Sequence, residues 1–175
     1  MNLSTDSVEG MVNVHEVKGL GPFEMTPAWP VAGGKKLKAT LPIKGKPTPY
    51  EFKTESSKFV TLVVKPGGIT QFISGESLTK PDVAVVDFVN LTAKPLSFKY
   101  GSSTVKVEPQ SSKSLELPSG PTKIKAGSSA TVEITVSGSE VWGAFAYERN
   151  GKVSLGTAPL KKGGSPLSSG GPSAS

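Results

Sequence analysis

The sequence predicts an all-β protein: two tandem antiparallel β-sandwich domains followed by a disordered C-terminal tail. Three observations carry that expectation. First, the apolar residues fall in short runs cut by Gly, Pro, Ser and Lys, with 20 Gly and 15 Pro in 175 residues. This composition suits strands and turns. Second, SEVWGAFAYERNGKVSLG (139–156) reads as strand, Asn-Gly turn, strand, and SSKFVTLVVKPGGITQFISG (56–75) has the same rhythm. Third, two more matches keep the same order: KKLKAT (35–40) with TKIKAG (122–127), and YEFKT (50–54) with VEITV (132–136). Matches that keep their order indicate an internal duplication.

The elements follow along the chain. Residues 1–10 are polar and are expected to form a flexible N-terminus. MVNVHEV (11–17) alternates like a half-buried strand. GLGPFEMTPAWPVAGG (19–34) is broken by three prolines and offers at most a short edge strand. KKLKATLPI, YEFKT, FVTLVV and ITQFI complete a shortened sandwich domain over 11–75. The turn at Pro66-Gly67-Gly68 is expected to be type II, with glycine taking the positive φ. SGESLTKPD is polar and contains Pro81, so 76–82 reads as a linker. The second domain, 83–160, holds eight short strands: VAVVDFVN, PLSFKY, TVKVEP, KSLELP, TKIKA, TVEITV, EVWGAFAYE and KVSL. YGSS and RNGK punctuate it as hairpin turns, with Asn150-Gly151 suited to type I′. Strand spacing of this kind is that of immunoglobulin-like sandwiches or barrels. KKGGSPLSSGGPSAS (161–175) is Gly/Ser/Pro-rich and reads as a disordered tail.

The net charge is +6, with no cysteine, so no disulfide, thiolate metal site or cysteine nucleophile exists. Eight lysines lie between Gly33 and Lys65, against Glu51 and Glu55. Lys35, Lys36, Lys38, Lys44 and Lys46 form the candidate polyanion-binding strip; the plainer reading is a solvated face with lysines guarding strand edges. Arg149 is the single arginine, which argues against nucleic acid, where bidentate contacts favour Arg. No apolar run reaches membrane-helix length. The opening MNLSTDSVEG lacks a basic n-region and an apolar h-region, so the expectation is either no export by that route or a mature form.

No catalytic constellation emerges. The one histidine, His15, reads as a strand-surface residue, and alone it builds neither a multi-histidine metal site nor, without partners, a triad. No phosphate loop, dinucleotide fingerprint, nucleophile elbow or zincin motif occurs. Asp87 within VVDFV is expected to be structural, on a polar face or held by a sheet-edge hydrogen bond. Trp142 is expected in the core. Trp29, between prolines, is either a plug over the end of the first domain or a contact aromatic. The expectation is a chain that is not an enzyme, with no metal and no cofactor.

The segment DVAVVDFVNLTAKPLSFKYGSSTVKVEPQSSKSLELPSGPTKIKAGSSATVEITVSGSEVWGAFAYERNGKVSLG resembles the small β-sandwich domain that occurs twice in the AlgF family of alginate O-acetylation proteins. The features are the VxFVN strand, the V.P..S...ELPSG run and the AxAYERNGK hairpin; KFVTLVVKPGG (58–68) looks like the end of that family's first domain. The resemblance covers roughly residues 35–160. It implies a non-catalytic periplasmic adaptor in exopolysaccharide O-acetylation, partnered by acetyltransferase proteins; that the chain neither spans the membrane nor binds nucleic acid is expected from the short apolar runs and the single arginine. An anionic polysaccharide as a second partner comes from the lysine strip. The alternative is a structural immunoglobulin-like module of a virion or cell surface.

Overall fold

Glycine, asparagine and proline turns cut the chain into short strands in the computed structural model, which describes residues 1–31, 33–56, 58–74 and 80–161. The chain divides into two compact units between Ile73 and Ser74. All regular structure among the described residues is β. The linker expected at 76–82 falls largely outside the described residues, as does the expected tail beyond residue 161.

The first unit holds β1 (Val8–Val12), β2 (His15–Leu20), β3 (Lys36–Ile43), β4 (Lys46–Lys53), β5 (Phe59–Lys65) and β6 (Gly68–Ser74). One sheet has the order β2-β1-β3-β4, and β5 pairs with β6 in a second. Val8, Val17, Ala39, Leu41, Phe52 and Val64 form the core. Alternation explains the choice: Ala39 and Leu41 point inward, and Lys36, Lys38 and Thr40 point outward.

Three expectations are corrected here. MVNVHEV is not one strand but a hairpin, because Asn13 turns the chain with φ 55°. The alternation runs through the turn and hides it. Residues 1–10 are not without structure: Met1 and Asn2 are buried, β1 begins at Val8, and Asn2 bridges to Val64 in parallel. Polar composition misled here, since the polar groups are internally hydrogen-bonded. The turn after β5 does not put positive φ on Gly67; that conformation falls on Gly68, at 157°.

The second unit holds β7 (Val83–Asn90), β8 (Leu96–Tyr100), β9 (Ser103–Val107), β10 (Ser111–Pro118), β11 (Gly120–Ala126), β12 (Ala130–Val136), β13 (Val141–Arg149) and β14 (Lys152–Lys161). Its sheets have the orders β10-β7-β13-β14 and β12-β11-β8-β9. Phe88 and Ala144 from the first meet Phe98, Ile124 and Val136 from the second in one core, so the unit is a sandwich. Phe88 packs on Phe98 and Tyr100, with ring centroids 5.2 and 5.1 Å apart. One pairing departs from the antiparallel expectation: β7 and β13 run parallel from Val85 to Asn90. Asn150 and Gly151 take φ 53° and 75°, as a type I′ turn requires.

The two units repeat one plan. The order β2-β1-β3-β4 matches β9-β8-β11-β12, and β5-β6 matches β13-β14. Among the described residues of the first unit, Met1-Asn2 stand at the place of the end of β7, and no strand stands at the place of β10.

Candidate functional site

The predicted lysines all lie on the β3–β4 hairpin or at its ends. Lys36 and Lys38 face outward on β3; opposite them on β4 stand Lys53 and Glu51. The Lys36 ammonium lies 3.8 Å from Glu51. At the other end Lys44 (φ 51°) and Gly45 (φ 77°) form the turn that pairs Ile43 with Lys46. With ~3.3 Å of rise per residue, β3 separates these groups by more than ~20 Å. The strip is therefore two clusters, Lys35, Lys36 and Lys38 at one end, Lys44 and Lys46 at the other.

The turn end borders a cleft of about 240 Å³. Lys44 and Lys65 line it together with Asp6 and the hydroxyl residues Ser4, Thr5 and Ser7. Two lysines beside hydroxyl residues suit a carboxylate-bearing sugar or another small anion, with Asp6 limiting the positive potential. The sequence reading missed this grouping because residues 1–7 had been assigned no structure.

The aromatic and acidic candidates are placed as follows. Trp29 is half-buried against the first-unit core and stacks on His15, with ring centroids 4.6 Å apart and an interplanar angle of 5°. His15 thus serves as a packing partner at the start of β2. Trp142 is half-buried against the second-unit core, and its indole N–H donates to Glu140 Oε1 at 3.3 Å. Asp87 is not on a polar face. It is fully buried: residues 84–90 of β7 are buried without alternation, on both faces of the strand. Ser114 Oγ donates to Asp87 Oδ1 at 2.6 Å, and among the described residues Asp87 Oδ2 has no hydrogen-bond partner.

A repeated asparagine bracket escaped the sequence reading. The Asn90 amide donates to the carbonyls of Lys94 (2.7 Å) and Val107 (3.0 Å), while Oδ1 accepts from Thr92 N (2.9 Å) and Thr92 Oγ1 (2.6 Å). The Asn2 amide donates to Asp6 O (2.8 Å) and Leu20 O (2.9 Å), and Oδ1 accepts from Ser4 N (2.9 Å) and Ser4 Oγ (2.6 Å). Around it, Phe23 N donates to Asn2 O and Leu3 N to Val64 O, as Gln110 N does to Asn90 O and Leu91 N to Ala146 O. The signal was present as NLS (2–4) and NLT (90–92). One extra residue between Asn2 and Leu20 is taken up by a bulge between Val8 and Gly10.

Beside the bracket, the Met1 ammonium is buried and donates to Leu62 O at 2.8 Å. Desolvation lowers its pKa from 8.0 to about 5. Among the described residues, no helix is long and apolar enough to cross a membrane.

No family model matches the chain, and no curated protein matches it. Among solved structures, the chain is similar to the N-terminal domain of AlgF from P. aeruginosa, at 20% identity and a TM-score of 0.38. That match covers 47% of this chain and 99% of the other. A likeness at this level assigns neither a family nor an activity.

Proposed function

We propose that this chain is a non-catalytic accessory protein for O-acetylation of an exopolysaccharide such as alginate, acting in the periplasm by docking acetyltransferase proteins. The observation that supports this reading is where the motifs of the sequence resemblance fall. VxFVN is β7, the ELPSG run closes β10, and AxAYERNGK is the β13–β14 hairpin, so the strands that carry them adjoin in one sheet, β10-β7-β13-β14. Rigid sheets suit a docking role: they present fixed surfaces with little ordering cost on binding. The lysines of the β3–β4 hairpin and the cleft beside Lys44 would add contact to an anionic, uronate-rich polymer.

The test is deletion of the gene in its source strain, with ester-linked acetate measured per uronate in the secreted polymer. The expected result is polymer made in normal yield with acetate strongly reduced, restored by the intact gene. Unchanged acetylation would overturn the reading and leave a structural sandwich module.

A further inference from the structure

The cleft beside Lys44 lies where the second unit is filled, and the duplication shows the cause. Val64 corresponds to Ala146, because each accepts from the residue after a bracket asparagine. The β3–β4 turn corresponds to the β11–β12 turn. In the second unit Leu96 and Val153 pack beside Gly127 in that turn. Val153 stands opposite Glu148 near the tip of the β13–β14 hairpin, where β13 runs three residues past Ala146, to Arg149. Its counterpart β5 runs one residue past Val64, to Lys65. The shorter hairpin leaves the β3–β4 turn uncovered: Gly45 faces open space, with no side chain packed beside it within 4 Å. The cleft of about 240 Å³ opens there. Its other wall is the loop 4–7, which the Asn2 bracket holds: Ser4 N and Oγ donate to Asn2 Oδ1, and the Asn2 amide donates to Asp6 O. Asn90, at the end of β7, holds the loop after it by the same bonds, so the bracket itself sets the path.

Opposite charges line this cleft without meeting. Lys44 and Asp6 both border it, yet among the described residues they form no ion pair with each other. A ligand that satisfies both must bring an acceptor to the ammonium and a donor to the carboxylate. A bare anion meets only the first need. Pro42 and Pro66 add apolar surface of the kind that the C–H face of a sugar ring can cover. We propose that the cleft binds one sugar-acid unit, with its carboxylate at Lys44 and Lys65 and its ring hydroxyls donating to Asp6. Its volume is below the ~300 Å³ at which sites for drug-sized ligands begin, so it suits a single unit. The inference deepens the polymer contact proposed above and rests on that reading. It gives Asp6 a role that net charge alone would deny it: the acidic residue selects a hydroxylated anion over a bare one.

The probes are methyl glucuronoside, methyl glucoside, which lacks the carboxylate, and sulfate, which lacks the hydroxyls. Each is titrated into the full chain at pH 7 and low salt, and the amide chemical shifts of residues 4–7, Lys44 and Gly45 report binding. The expected result is saturable binding of the glucuronoside with a Kd of about 1 mM, and about tenfold weaker binding of the glucoside. Asp6→Asn keeps the backbone carbonyl that the bracket uses. It should weaken the glucuronoside about tenfold and strengthen sulfate, because the lost charge helps a bare anion while the sugar loses its acceptor. Lys44→Gln should weaken both. Strengthening of both ligands by Asp6→Asn would make the cleft a general anion site and overturn the proposal. So would equal binding of the glucoside, tighter binding of a zwitterion such as glutamate, or no shift with the glucuronoside at about 20 mM. Acetate in the polymer of the deletion strain is read independently, so loss of this site and loss of the accessory role are distinguishable.

Discussion

Asn2 and Asn90 make the same set of four hydrogen bonds, but the sheets around them differ. Asn90 ends a strand flanked on both sides, in a unit where Phe88, Phe98 and Phe145 are fully buried. Asn2 stands next to the buried Met1 amine, in a unit whose core is Val8, Val17, Ala39, Leu41, Phe52 and Val64. The same local device is thus kept where its neighbours are complete and where they are not. The bracket is a local solution, set by side chains within a few residues. The stability of each unit is set by the strands beside it. The first unit should therefore be the weaker, and its weakness should respond to whatever changes the edge of β5.

The largest effect should come from pH. The unfolded Met1 amine takes up a proton near pH 8, but in the folded unit it does so only near pH 5. Between those values the unfolded state binds more protons, so stability falls as the pH is lowered from about 8 to about 5 and then levels off. Three pKa units correspond to about 4 kcal/mol. Each unit carries one tryptophan, Trp29 or Trp142, so denaturation of Trp142→Phe and Trp29→Phe chains reads the units separately. The first unit should lose stability on acidification and the second should not share that loss. An N-terminally acetylated chain should not show it, and an unchanged pH response after acetylation would remove Met1 as its cause.

Next in size is the bracket itself. Asn90→Ala strands the Val107 and Lys94 carbonyls and the Thr92 amide in a buried place, and should cost about 3 kcal/mol. Asn2→Ala should cost about 1 kcal/mol, because Ser4 and Asp6 lie close enough to solvent for water to replace the lost partners. Urea denaturation of both variants checks the ratio. Equal losses would mean that the two brackets are equally enclosed and that the contrast between the units is smaller than the strand orders indicate.

How far the sequence revealed this depended on how local the cause was. Asn150-Gly151 and the alternation of β11 and β12 were legible because turn chemistry and side-chain period act within a few residues. VAVVDFVN was read as a strand from its apolar run. That Asp87 is buried within it follows from cover on both faces, and a strand covered on both faces reads as a continuous apolar run, a signal that was present. The Met1–Leu3 bridge was not legible: its partner Val64 is far along the chain, and NLST has the composition of a loop. The lysines were read as one strip because they are close in sequence, but a strand carries such residues apart by its rise. The hairpin thus delivers them to opposite ends.

The smallest effect on stability should come from those lysines, and it sharpens the comparison at the level of charge. Reversing Lys36, Lys38 and Lys44 to Glu touches exposed side chains and should change the unfolding free energy by no more than about 0.5 kcal/mol. On a polyuronate column at low salt, the same variant should elute earlier than the parent. The second unit offers a control. Lys99 pairs directly opposite Lys125 on adjacent strands, with Lys123 beside them, and among the described residues none of the three has an ion pair. In the first unit Lys36 is paired with Glu51 and Lys44 shares its cleft with Asp6. Lys123 stands directly opposite Glu133 on β12, so this group too is partly neutralised. Because polymer contact is proposed for the β3–β4 hairpin, reversing Lys99, Lys123 and Lys125 should shift elution less than reversing the first-unit lysines. The opposite order would move polymer contact to the second unit, and no retention of the parent would remove polymer contact from the role of either unit.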